Sequence, residues 1–556
     1  MATNSAEGIR WDLNDLFAAP NDPRIEATLT ECYARAEAFE KRFRTPMEQS
    51  ETLTATVVLH ALQELESLYE ALGRVGSYAG LLYAADTASP AYRDLEQRVE
   101  QRSTEIRNQL LFFELHWLKC DEGIADRLIV DPLLSNYKHY LANLRRYRPH
   151  TLTEPEEKII NEKDNTGRNA FGRLFSEITS GLTFSLEKEN QKEELNLSQI
   201  LSLLHEPDRA LRRRAMETLY EGLSQHGQVL TFTYDTLIQD HLTMDRLRAY
   251  PHPMSQRHLF NEIDDEAVKA MMGVTESNYG LGQDYFRLKA KLLQLPRLAL
   301  YDQYAPVGKE VRPFPYSQAQ QVILEAFESF DPSFRQLATE FFAKNWIDAE
   351  IRKGKRGGAF CASPSPQLHP YILCNYDDNL RDVMTVAHEL GHGMHGCLSR
   401  DQNYFNYDTR SQQRKPRRSS LKCWFSITCS GSKPTHKRRS LWSPAKSKIS
   451  SPRFSAKTYS HASKNSPSRR ERKPASHRTR LETSGSKPTG GTMATPSKYR
   501  TATAGDGPTF PTSSTRAFTA TVTSSASSSS SRFIECTKTK ERVSCRNISF
   551  VFVHSR

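Results

Sequence analysis

The sequence predicts a mainly α-helical protein over residues 1–410, with a small β-sheet near 358–376 and a tail of another kind behind it. Three observations predict this. Apolar residues recur at three- and four-residue steps through the first 350 positions, the mark of amphipathic helices. Short apolar runs bounded by Gly, Pro and Asn replace those stripes between 353 and 376. Composition then breaks abruptly near residue 411.

Leu62, Leu65, Leu68, Tyr69, Leu72 and Val75 form one such stripe, and similar stripes run through 91–120, 197–225 and 317–345. Turn chemistry separates them at Asn21-Asp22-Pro23, Ser89-Pro90 and Tyr250-Pro251-His252-Pro253, and Asp331-Pro332-Ser333 reads as a helix start. Core packing accounts for these stripes. Lys353-Gly354-Lys355-Arg356-Gly357-Gly358 is a basic, glycine-rich turn without the spacing of a phosphate-binding loop. Ala359-Phe360-Cys361 and Tyr371-Ile372-Leu373-Cys374 read as two strands. The expected organisation is a helical domain over 1–190, a second domain over 191–410, and a tail over 411–556.

The net charge of +11 hides two opposed halves. Residues 411–556 carry 30 basic and 5 acidic side chains, whereas residues 1–410 carry 46 and 60. The nine cysteines are scattered, odd in number and never spaced C-x-x-C, which argues against a disulfide framework and a cysteine zinc knuckle. No apolar run of about 18 residues is present, and Met1 to Trp11 is too polar for a signal peptide. A cytoplasmic location, with no membrane partner, is the expectation.

His388-Glu389-Leu390-Gly391-His392 matches H-E-x-x-H. Residues four apart share a helix face, so both imidazoles can reach one ion about 2 Å from each nitrogen. Glu389, beside the first ligand, is placed to take a proton from a metal-activated water and return it to a leaving amine. Val383, Met384, Val386, Ala387 and Leu390 make the segment apolar enough for a buried helix. His395 lies three residues further on and misses the metzincin spacing, so a packing or supporting role is expected for it rather than ligation.

These residues resemble a known family. Gly354 to Phe360, Pro370 to Leu373, and Asp382 to His395 are similar to oligoendopeptidase F, the bacterial branch of the thimet-oligopeptidase-like zinc peptidases. Trp11-Asp12-Leu13-Asn14-Asp15-Leu16-Phe17 is similar to that branch as well. The resemblance covers roughly residues 8–409. It implies a two-lobed helical zincin-type metallopeptidase with a deep channel, one Zn2+ ion, and short peptides as substrates. It carries His388 and His392 over as zinc ligands and Glu389 as the catalytic base. It also implies a third ligand, a Glu in a following segment E-T-A-S, with a second Glu seven residues later. A later His- and Tyr-containing segment contacts the substrate.

After Asp408-Thr409 the resemblance stops, and Lys415 stands where the third ligand is due. The tail has three Leu, 32 Ser and a run from Ser527 to Ser531, a composition unable to bury a core and expected to be disordered. The genetic code explains the break. Shifted by one base, the codons of Lys415 to Arg418 permit Glu-Thr-Ala-Ser, and Lys422 permits the second Glu. Gly507 through Ala526 permits the family's His/Tyr segment in order and spacing. A one-base deletion near Thr409–Gln412 is therefore expected. The tail's charge would attract phosphates weakly, but its aromatic residues show no stacking pattern, and no specific nucleic-acid partner is expected. Two readings follow: a zinc metalloendopeptidase acting on short peptides, or a truncated, catalytically inactive helical protein lacking the third zinc ligand. Oligomeric state is not legible in the sequence.

Overall fold

The structure, a computed structural model, describes residues 4–188, 191–307 and 313–407. The expected disorder of 411–556 and the position of Lys415 lie outside the described residues.

Helices dominate, and proline-led starts set many of their ends. α1 (Pro23–Glu48) begins where the Asp22 carboxylate accepts the Arg24 N–H. α2 (Ala55–Ala85) and α3 (Pro90–Lys119) follow, α3 starting at the Ser89-Pro90 break. The shorter α4 (Glu122–Ile129) and α5 (Lys138–Arg145) close this group. Its core holds Phe39, Leu65, Leu68, Phe112, Phe113 and Trp117, all buried. The Trp117 indole N–H donates to the Leu141 carbonyl at 3.0 Å, so its polar atom is satisfied in an apolar setting.

α6 (Glu154–Thr166) and α7 (Arg168–Gly181) lead to a hairpin the sequence reading did not foresee: β1 (Thr183–Lys188) pairs antiparallel with β2 (Gln191–Asn196). The missed signal was alternation, because Phe184 and Leu186 point into a core while Thr183, Ser185 and Glu187 stay exposed. The stripe read over 197–225 is also broken. α8 (Leu197–Ser202) ends before Pro207, and α9 (Arg209–Gln225) restarts on the Asp208 cap. Asp302, fully buried, binds Arg209 and Arg212 on α9; burial opposes its ionisation, but the two guanidiniums and the Ala299 N–H hold the carboxyl down at about 2.

α10 (Gly227–Leu247), α11 (Ser255–Asn261), α12 (Asp265–Ser277) and α13 (Tyr279–Leu292) form the middle of the chain. α14 (Tyr316–Phe330) and α15 (Pro332–Ala343) are divided as expected at Asp331, whose carboxylate accepts the Ser333 N–H. Then comes the small sheet: β3 (Ile347–Asp348), β4 (Phe360–Ala362) and β5 (Tyr371–Leu373), in the order β3-β5-β4. β5 is parallel to β3 and antiparallel to β4. Its pleat joins two cores: Tyr371 belongs with α1–α5, and Ile372 with α14–α16. α16 (Leu380–Leu398) lies against this sheet, and α17 (Tyr404–Tyr407) ends the described chain.

Two sequence signatures acquire structural roles here. Trp11 packs edge-on to Tyr371 at 6.5 Å, Leu13, Leu16 and Phe17 enter the first core, and Asp15 pairs with His369 at 2.7 Å. The basic turn is not a phosphate site. The Lys355 ammonium donates to the Asp348 carboxylate (2.6 Å) and to the carbonyls of Glu350 (2.7 Å) and Cys374 (2.6 Å), tying the turn to β3 and the end of β5. Gly354 takes φ +80°, and a Cβ there would lie 2.5 Å from an Asp86 oxygen, so the turn needs glycine. Among the described residues no helix is long and apolar enough to cross a membrane.

Candidate metal centre

α16 carries the candidate chemistry, and its placement follows from its sequence. The Asn379 side chain accepts the Asp382 N–H (3.0 Å), while the Asp382 carboxylate accepts from the Asn379 side chain and the Asp377 N–H, each at 2.8 Å. This reciprocal cap fixes where the helix begins. Burial pushes the Asp382 carboxyl up to about 6, against the pull of those donors. Val383, Val386, Ala387, Leu390 and Met394 form the buried face. Gly393 lets the helix close on α15: a Cβ there would sit 2.5 Å from the Phe341 ring.

This packing brings together the three residues singled out from the sequence. The ligand-type atoms of His388, Glu389 and His392 all lie within 4.8 Å of one another. The two imidazoles are 5.4 Å apart, centre to centre, and perpendicular at 88°. His388 Nε2 is 3.9 Å from Glu389 Oε1. Glu389 and His392 are buried, and His388 is half-buried. His392 Nε2 is shielded from solvent and makes no hydrogen bond within the protein, a costly state for a polar atom that a metal ion would relieve. His395 is not part of the group.

The donor set fits zinc as far as it goes: two imidazole nitrogens on one helix face, with a carboxylate beside them. Among the described residues no further carboxylate joins them. The buried Cys374 thiol, at the end of β5, is pushed up to about 12 by burial and so stays protonated at neutral pH. A cavity of about 370 Å³ between α2, α3, α6 and α7, lined by Glu96, Glu100, Arg107 and Asp164 among others, includes none of the three residues.

One further group of the same kind occurs among the described residues, formed by His252, His258 and Asp265. In the sequence His252 belongs to the turn Tyr250-Pro251-His252-Pro253, and the three positions follow no recognised metal-ligand spacing.

The family model for Peptidase family M3 matches residues 202–412, and that for Oligopeptidase F matches residues 116–184. The chain belongs to peptidase family M3. It is similar to group B oligopeptidase PepB of Streptococcus agalactiae, 24% identical over 408 residues, covering 72% of this chain and 66% of that one. It is also similar to oligopeptidase PepF of Bacillus subtilis, 23% identical over 415 residues, covering 72% of this chain and 59% of that one. The chain thus spans less than two thirds of these M3 relatives. The crystal structure of oligoendopeptidase-F from Enterococcus faecium matches with a TM-score of 0.52 and 18% identity, over 74% of this chain and 68% of that one. PZ peptidase A with an inhibitor matches at 0.59 and 16%, over 70% and 69%. These structural likenesses establish the shared fold.

Proposed function

We propose that this M3-family chain is built to hydrolyse short peptides as a zinc metalloendopeptidase, with His388 and His392 holding one Zn2+ ion and Glu389 acting as general base. The observation that carries the reading is the convergence of these three side chains on one buried helix, with His392 Nε2 left without a hydrogen bond. A bound zinc ion supplies Lewis-acid polarisation of the scissile carbonyl and makes water acidic near neutral pH. The rest falls to the chain. The two imidazoles, one turn apart on α16, would hold the ion. Glu389 Oε1, 3.9 Å from His388 Nε2, is near enough to the ligand position to reach an attacking water. It accepts that water's proton as the new C–O bond forms and passes it to the amine nitrogen as the C–N bond breaks. Its burial excludes competing solvent.

In this reading residues 1–190 form an N-terminal helical domain and 191–410 the metal-binding domain, in a cytoplasmic enzyme whose partners are peptides rather than nucleic acid. A second reading rests on a specific feature of the sequence. Lys415 occupies the place of the third ligand, and a cation there cannot bind zinc. As written, the chain is then a truncated and catalytically inactive helical protein, its C-terminal part translated out of frame.

The test is hydrolysis of a quenched fluorescent peptide with zinc present, by this chain, a frame-restored chain, and the restored chain carrying Glu389→Gln. The restored chain should be active. This chain should fall below it by at least a hundred- to a thousand-fold, about the cost of one lost transition-state contact. Equal turnover by the first two would overturn the frame-shift reading, and activity surviving Glu389→Gln would overturn the mechanism.

A further inference from the structure

We propose that His252, His258 and Asp265 form a second site for a divalent cation of the zinc class, a structural staple distinct from the pair on α16. His252 lies in the turn after α10, His258 on α11, and Asp265 opens α12. Each oxygen of the Asp265 carboxylate faces one imidazole: Oδ2 lies 2.8 Å from His252 Nε2, and Oδ1 lies 2.5 Å from His258 Nδ1. The ring centres are 5.5 Å apart, almost the spacing of His388 and His392 at 5.4 Å. Two imidazoles bound tetrahedrally to one ion place their centres about 5 Å apart. Like the group on α16, this one joins two imidazoles and a carboxylate, with ligand atoms all within 4.8 Å of one another.

The surroundings favour a cation. Asp264 and Glu266 flank Asp265 in the first turn of α12. His258 is buried, so an ion held there is shielded on one side, while His252 and Asp265 leave the other side open for entry. Three existing contacts must yield: His252 Nε2 and His258 Nδ1 give up the protons they share with the Asp265 carboxylate, and the Met254 N–H, 3.3 Å from His252 Nδ1, loses its acceptor once ligation through Nε2 puts a proton on Nδ1.

The local fold gives such an ion work to do. The buried residues of α11 are His258 and Asn261, both polar, and α12 has none. With so little apolar burial, the corner between these helices depends on polar links. Ion binding to the folded corner alone would add directly to its stability.

The experiment uses the full chain carrying His388→Ala and His392→Ala, so that the first pair contributes nothing. After incubation with Zn2+ and buffer exchange, this protein should retain about one zinc per chain, and zinc should raise its thermal midpoint. Asp265→Asn keeps the shape and hydrogen-bonding reach of the side chain; added to the same background it should abolish both effects, as should His252→Gln. Circular dichroism confirms that each variant is folded. No retained zinc in the parent would show a hydrogen-bonded clamp only, and equal zinc in the Asp265→Asn protein would place the metal elsewhere. Either result overturns the proposal. Neither depends on peptidase activity, so the reading of α16 stands or falls separately.

Discussion

Helices α1–α3 and helices α10–α13 show what the same periodicity does in two settings. In α1–α3 the apolar stripe faces inward: Phe39, Leu65, Leu68, Phe112 and Phe113 are buried. In α10 the buried residues are Thr233 and Asp245, whereas Phe232 is 62% exposed and Tyr234, Leu242 and Leu247 are exposed too. α12 exposes Met271, Met272 and Val274, and the buried residue of α13 is Lys289. Apolar side chains left exposed on successive helices in this way are the kind of surface that an interface covers. Helical pattern alone therefore does not tell a finished core from a face awaiting its cover. The matched M3 relatives are longer than this chain's match to them, and we expect the frame-restored C-terminal segment to supply that cover.

The largest expected effect is on hydrogen exchange. Amides of α10, α12 and α13 should exchange orders of magnitude faster than those of α1–α3 in this chain. They should slow in a frame-restored chain. Equal protection of the two regions in the chain as written would break the comparison.

Truncation sharpens it. Phe112→Ala should cost about 3–5 kcal/mol in urea unfolding, since it empties a closed core. Phe232→Ala should change stability by no more than about 0.5 kcal/mol, as surface changes do. A large loss from Phe232→Ala in the chain as written would show that its ring is already covered.

A smaller effect is expected where α16 meets α15. Gly393→Ala puts a methyl group against the Phe341 ring, and overpacking of that kind typically costs about 1–3 kcal/mol. Zinc affinity should fall with it, because the helix must shift while both histidines remain. Unchanged stability and affinity would mean that the contact relaxes freely.

The smallest effect is a pH dependence at the start of α16. Arg381 donates to His205 Nε2 at 3.2 Å, which requires a neutral ring. Burial first, then the charges of Arg381 and Lys289, lower the His205 pKa from 6.5 to about 4. The unfolded chain then binds more protons than the folded one between these values, so stability should be complete above about pH 6.5 and fall as pH drops toward 4. Urea midpoints at pH 7 and pH 5, with His205→Gln as control, read this out. An identical pH dependence in the control would assign the effect to other groups.

The helices and the small sheet were legible because they are local statements. Asn21-Asp22-Pro23, Ser89-Pro90 and Asp331-Pro332 end or start helices through the chemistry of adjacent residues. The β1–β2 hairpin was harder to see, since its alternation is short and Glu189-Asn190 between the strands is not among the strong two-residue turn signals. The break at Pro207 was overlooked inside an otherwise continuous stripe.

The sequence by itself determined that His388, Glu389 and His392 would converge, because a helix brings residues four apart onto one face whatever surrounds it. It also determined that the chemistry of residues 1–410 would not continue beyond residue 411, since composition is a property of the chain alone. Only the tertiary structure decided that Lys355 would be consumed as a clamp, that β5 would join two cores, and that His252, His258 and Asp265 would meet. Each of those depends on how separate elements are oriented. That orientation is set by the apolar surface they bury against one another, a long-range quantity that no local spacing encodes.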